Sequence, residues 1–99
     1  MSKDELIKEL ANKVDKELNA YKKSLLQMSA EKIMAHSYET VVKEEFCDIL
    51  KYDMKMVDNE IIKKWLDIDG LLDYIYFGWL KIEDAICDEY RNFIFEYMI

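Results

Sequence analysis

Apolar residues at Ile7, Ala11, Val14, Leu18, Tyr21, Leu25 and Met28 recur at alternating intervals of four and three. That spacing sets side chains along one face of an α-helix. Ser2 followed by Glu5 has the form of a capping box, in which the two side chains satisfy backbone donors left open at a helix start. The pattern therefore predicts a long first helix from residue 3. Its other faces carry Lys8, Lys13, Lys16, Lys22 and Lys23 among Glu9, Asp15 and Glu17, with pairs such as Glu9 and Lys13 in i,i+4 reach. The seam suits one arm of a coiled coil and packing inside a single bundle equally well.

Ser29 is placed to cap a second helix, with Glu31 in its first turn where the helix dipole favours negative charge. Met34, Tyr38, Val41, Val42, Phe46, Ile49 and Leu50 form its apolar face, which ends near Tyr52. A polar stretch over 53–58 interrupts the pattern, and Asp58 then caps a short third helix that carries Ile61, Ile62, Trp65 and Leu66 inward. Asp67, Ile68, Asp69 and Gly70 read as a turn, because Asp and Gly accept unusual backbone angles. Leu72, Ile75, Tyr76, Trp79 and Leu80 resume helical spacing, where Gly78 either weakens the element or lets another helix approach closely.

A last helix, from residue 83, presents Ile86, Tyr90, Phe93, Ile94 and Tyr97 on one side, while Phe95, Met98 and Ile99 add apolar surface elsewhere. A helix apolar nearly all round has to be covered on several sides. This end therefore either inserts into the core or meets a second chain through Phe93, Phe95, Met98 and Ile99. The expected fold is all-α, a small bundle of four to five helices with a long N-terminal helix, forming one domain over residues 1–99.

Composition agrees with helices. The chain has no proline and two glycines, which removes the usual punctuation of sheets and tight loops, and its 52 % apolar residues supply a core. The stretch after Met1 lacks the basic and apolar runs of a signal peptide, and no segment approaches the roughly 20 apolar residues needed to span a bilayer. A cytoplasmic protein is expected, without a membrane partner.

Charge changes the picture more. Fourteen basic residues against 21 acidic ones leave a formal charge of -7, which repels phosphate backbones and speaks against direct nucleic-acid binding. Between residues 67 and 89 the acids Asp67, Asp69, Asp73, Glu83, Asp84, Asp88 and Glu89 face Lys81 alone. Such a concentration is either a solvated face or a row of carboxylates offered to a basic groove on another protein.

Equipment for catalysis is missing from the pattern. His36, the single histidine, stands one turn before Glu39 with no serine or cysteine nearby in a nucleophile arrangement. A His-x-x-Glu pair supplies two metal ligands at most, and no second such motif completes a site. Two glycines cannot build a phosphate loop. Asp53, Asp58, Asp67 and Asp69 lack the order of a calcium loop. Cys47 and Cys87 form no Cys-x-x-Cys pair and read as reduced thiols. The expectation is a protein that is not an enzyme, with no catalytic residues, cofactor or bound metal.

One stretch carries a resemblance. Glu31, Ile33, Tyr38, Glu39, Lys43, Glu44 and Glu45 stand at the spacing of a motif in which Glu-x-Ile precedes Ala-Tyr-Glu and then a basic residue followed by two acids. This resembles a family of short proteins of Clostridia and relatives, a domain of unknown function often encoded on mobile elements. Ser37 replaces the alanine of that motif, and Asp69-Gly70 stands where the family has a proline. The similarity continues more weakly through Val57 to Glu60, Trp65-Leu66 and the final helix. The family has no assigned activity, so the resemblance implies a setting and no residue roles. Small acidic proteins of that setting resemble inhibitors of host defence nucleases, anti-CRISPR proteins among them. The expected function is therefore inhibition of a basic, nucleic-acid-handling partner such as a CRISPR effector nuclease, with a homodimeric structural or adaptor protein as the alternative.

Overall fold

Residues 2–81 and 90–98 are described by a computed structural model, and helices joined by turns account for them. In chain order these are α1 (Lys3–Leu26), α2 (Ala30–Ala35), α3 (Ser37–Tyr52), α4 (Asn59–Leu66), α5 (Leu71–Leu80) and α6 (Tyr90–Tyr97). The fold is all-α with a long N-terminal helix. Among the described residues it has one helix more than the pattern predicts, because the second splits at His36.

Ser2 caps α1 as expected, its hydroxyl accepting from the backbone N–H of Glu5 at 3.2 Å. The same hydroxyl lies 3.2 Å from the Glu5 carboxylate, so the two side chains meet directly. The buried stripe differs from the predicted seam at its start, where Leu6 and Leu10 are buried in place of Ile7 and Ala11. The reason is that α1 packs against α3, α4 and α5 at once, which calls for a wider apolar arc than a two-helix seam.

The second predicted helix is interrupted because the His36 carbonyl is overloaded with donors. It accepts from the Thr40 N–H at 3.0 Å, the Thr40 hydroxyl at 3.0 Å and the Tyr21 hydroxyl at 3.3 Å. Back-bonding by a threonine hydroxyl bends helices, and here His36 leaves helical geometry with ψ near 8°. The buried arc of α3 is Val42, Lys43, Phe46, Cys47, Ile49 and Leu50. Met34, Tyr38 and Val41, predicted to share the apolar face, are exposed instead.

The stretch over 53–58 is less polar in its role than in its composition, since Met54 and Val57 are buried in the core. Asp58 occupies the N-cap position of α4, but its side chain makes no capping hydrogen bond. Ile62 and Trp65 point inward from α4, with Ile61 and Leu66 packed beside them. Gly70 closes the following turn with φ +65°, a conformation glycine adopts without the steric cost of a Cβ. No side chain of that turn caps α5. Its second N–H, that of Leu72, is taken by the Glu17 carboxylate of α1 at 2.8 Å, which ties the helix start to a distant element.

An aromatic cluster closes the core around Phe46, whose ring meets Trp79, Tyr90 and Phe93 at centroid distances of 5.7, 5.3 and 5.7 Å. Gly78 lies against this cluster, where a Cβ would stand 3.4 Å from the Phe93 ring, about van der Waals contact. The described part of the C-terminal helix thus inserts into the core. Of the positions expected to meet a second chain, Phe93 is buried, Phe95 and Met98 pack against the core, and Ile99 lies outside the described residues. Ile86 and the predicted start of that helix at residue 83 also lie outside them. No helix among the described residues is long and apolar enough to cross a membrane.

Candidate functional site

The acidic residues singled out by the sequence do not form a bare row where the structure describes them. Asp73 is bonded to Lys43, Nζ to Oδ1 at 2.5 Å. Asp67 sits on a shallow groove of about 830 Å³ between α1 and α4 that is also lined by Lys13, Lys16 and Lys63. Asp69 is exposed in the turn before α5. Glu83, Asp84, Asp88 and Glu89 lie outside the described residues, as does Cys87.

What the fold brings together instead is a charged cluster around Lys43, a position of the quoted motif to which the sequence pattern assigns no role. Lys43 is 3 % exposed in the middle of α3. Its ammonium lies 2.7 Å from Glu39 one turn back and 2.5 Å from Asp73 on α5. It also stands 4.0 Å from the centre of the Tyr21 ring on α1, a cation–π contact. Burial opposes its charge, but the hydrogen bonds and charges of Asp73 and Glu39 outweigh that penalty and hold the ammonium above the ordinary lysine range. His36 completes the chain, with Nδ1 3.1 Å from the other oxygen of Glu39. A signal existed in the sequence: Lys43 falls between Val42 and Phe46 in the apolar arc and one turn after Glu39.

The cluster opens on a smaller cavity of about 360 Å³ lined by Glu17, Tyr21, Ser24, Lys43 and Asp73, among others. Its polar groups already have partners. Glu17 holds the Leu72 N–H and Lys13, and the Ser24 hydroxyl donates to the Tyr21 carbonyl at 2.6 Å. Among the described residues no three His, Cys, Asp or Glu side chains gather as a metal-binding set. The free thiol of Cys47 is pushed up to about 12, by burial first and then by the charge of Asp15.

Beside the cluster lies an apolar ledge. α2 buries none of its residues. Met34 is 75 % exposed, and Tyr38 and Val41 continue its line along the outer edge of α3, each about half exposed. The outer side of α5 adds Tyr74, Phe77 and Leu80, again about half exposed. Together these six residues leave large, partly apolar side chains in water on α2, α3 and α5. The Trp79 indole N–H of α5 donates to the Tyr38 hydroxyl of α3 at 2.8 Å. Tyr38 also neighbours two phenols whose pKa values are raised. Tyr76 is shifted by burial, then by the charges of Glu39 and Tyr38, and Tyr90 by burial, then by Tyr38 and Glu45.

Glu45 follows Val41 by one helical turn on α3, and Asp73 precedes Phe77 by one turn on α5. Compared with family models, with curated proteins and with solved structures, the chain matches none.

Proposed function

We propose that this chain is a non-catalytic helical binding module that docks on a basic, nucleic-acid-handling protein and blocks its function. The docking face is the ledge of α2, the outer edge of α3 and the outer side of α5. A CRISPR effector nuclease is the partner class suggested by the sequence resemblance and by the chain's charge of -7.

The observation that carries the reading is the exposure of Met34, Tyr38 and Val41 on α2 and α3 and of Phe77 and Leu80 on α5. Exposed tyrosine, phenylalanine and methionine next to a preorganised tryptophan match the centre of a protein interface better than an ordinary solvated face. Net negative charge adds long-range attraction for a basic partner and orients the encounter.

The test is capture from cells expressing a panel of defence nucleases, with wild type compared to the Met34→Glu, Val41→Glu double variant. Both positions are exposed, so the far-ultraviolet circular dichroism and Tm of the variant should stay close to wild type. A nuclease retained by wild type and lost from the variant, together with inhibition of its activity by wild type alone, supports the reading. Equal retention by both proteins refutes the ledge as the docking face.

A further inference from the structure

We infer that α2 is a hinged arm, which pivots about His36 and is clasped in its bent position by the hydroxyls of Tyr21 and Thr40. Released from that clasp, it realigns with α3 as one helix over 30–52. The inference stands apart from the docking reading. Residues 30–52 include no proline or glycine, and the spacing of Met34, Tyr38 and Val41 runs through His36 without a change of period. The local sequence therefore calls for an unbroken helix, and the bend is imposed from elsewhere in the fold.

Little besides the clasp opposes realignment. α2 buries none of its residues, so swinging it uncovers no core. α3 starts without a side-chain cap. The N–H groups of Ser37, Tyr38 and Glu39 stand in its first turn, where a helix offers its own donors no carbonyl. In an unbroken helix they would bond the carbonyls of Ile33, Met34 and Ala35, four residues back. Met34 would then sit one turn from Tyr38 and two from Val41 on a single helical face.

The clasp is built from another helix. The Tyr21 hydroxyl of α1 lies 3.3 Å from the His36 carbonyl and 3.0 Å from the Thr40 hydroxyl, which itself donates to that carbonyl at 3.0 Å. The tyrosine is held in turn, because the Lys43 ammonium sits 4.0 Å from its ring centre and is tied to Asp73 on α5. Glu39, the other partner of that ammonium, also holds the His36 ring. The angle of the arm is thus set by side chains of α1, α3 and α5 together.

The test uses Tyr21→Phe, Thr40→Val and the double variant in the full chain, followed by amide hydrogen exchange and Cα chemical shifts. Phenylalanine keeps the ring beneath Lys43, and valine keeps the shape of threonine, so the variants should fold. Ser24→Ala is the control, since the hydroxyl lost there bonds the Tyr21 carbonyl instead of the hinge. In the double variant the amides of Ser37, Tyr38 and Glu39 should exchange at least about threefold more slowly than in wild type, the order of shift that loss of a hydroxyl bond allows. The Cα shifts of Ala35, His36 and Ser37 should move towards helical values in step. Removing a bond that merely supports the fold speeds exchange, so slowing is the mark of new backbone bonds. Unchanged or faster exchange at these three amides overturns the inference. Equal slowing in Ser24→Ala overturns it too, and so does slowing without the helical Cα shifts.

Discussion

Replacing Lys43 by methionine removes the buried ammonium while keeping most of the side chain's volume, and so isolates the charge cluster from packing. Two hydrogen bonds between charged groups are lost, each worth about 1.5–3 kcal/mol when fully sheltered. Neither partner is fully sheltered: the Asp73 side chain is 59 % exposed and that of Glu39 is 20 % exposed. Water therefore recovers much of the Asp73 bond, and Glu39 keeps its contact with His36. The cation–π contact with Tyr21 adds about 1–2 kcal/mol to the loss. Relief from dehydrating the ammonium offsets several kcal/mol. The expected net is a destabilisation of about 1–2 kcal/mol. Lys43→Ala should cost about 3–4 kcal/mol, because it also gives up the packing of the buried stem.

Urea and thermal unfolding followed by circular dichroism measure both variants, and for a domain of this size about 1 kcal/mol lowers Tm by roughly 4–8 °C. A cycle with Asp73→Asn should return a coupling of about 1 kcal/mol. The pH dependence has a defined sign. Lys43 holds its proton more tightly in the folded chain than at the ordinary value of 10.5. The stability this contributes is complete below 10.5 and is lost as pH rises through the higher folded value. Tyr76, Tyr90 and Cys47, all raised, act in the same direction. The gap between wild type and Lys43→Met isolates the lysine, and it should shrink above pH 10.5. A methionine variant as stable as wild type at neutral pH would show that the cost of dehydration cancels the contacts, and the cluster would then not be what holds α5 to α3.

Two further perturbations test the fold around the site. Gly70→Ala should cost about 1–2 kcal/mol in urea unfolding. Its new Cβ meets nothing closer than 3.9 Å, so the loss comes from the left-handed backbone alone, and Gly70→Asn should cost less. In a Cys87→Ser background, Cys47 should fail to react with a thiol-specific disulfide reagent at neutral pH until urea unfolds the chain, because its thiol is buried and its pKa lies near 12. Rapid labelling of the native protein would contradict that packing.

Most of the architecture was legible in the sequence because it rests on local rules. Ser2 and Ser29 cap the helices they were expected to cap, and Gly70 makes the turn. What the pattern missed depends on contacts between distant residues. Periodicity alone does not register that Tyr21, fifteen residues earlier, donates to the His36 carbonyl, so the split of the second helix was invisible. Nor does it distinguish an apolar stripe that is buried from one that is not. Met34, Tyr38 and Val41 have helical spacing as regular as that of Val42, Phe46 and Ile49. The positions of α1, α5 and α6 decide which stripe is covered. At Asp73, likewise, a charge tally counts the carboxylate and does not register a lysine thirty residues away.

The departures from local pattern are not spread evenly. On the side where α1 meets α4, polar residues face outward, lysines stand near carboxylates and leucines fill the interior. On the side of α2, α3 and α5, a helix is interrupted, a lysine is buried, and large apolar side chains are left in water. Each of these costs stability: exposed apolar area forfeits about 25 cal/mol for every Å² left uncovered, and burying an ammonium carries its own penalty. Sequences that fold well keep their levels of structure consistent, and the places where they do not are where function tends to reside. Large apolar side chains are exposed elsewhere too, Leu26 and Met56 among them, so it is the interrupted helix and the buried lysine that set the side of α2, α3 and α5 apart. That asymmetry is why the docking reading falls on the ledge and not on the larger, lysine-lined groove.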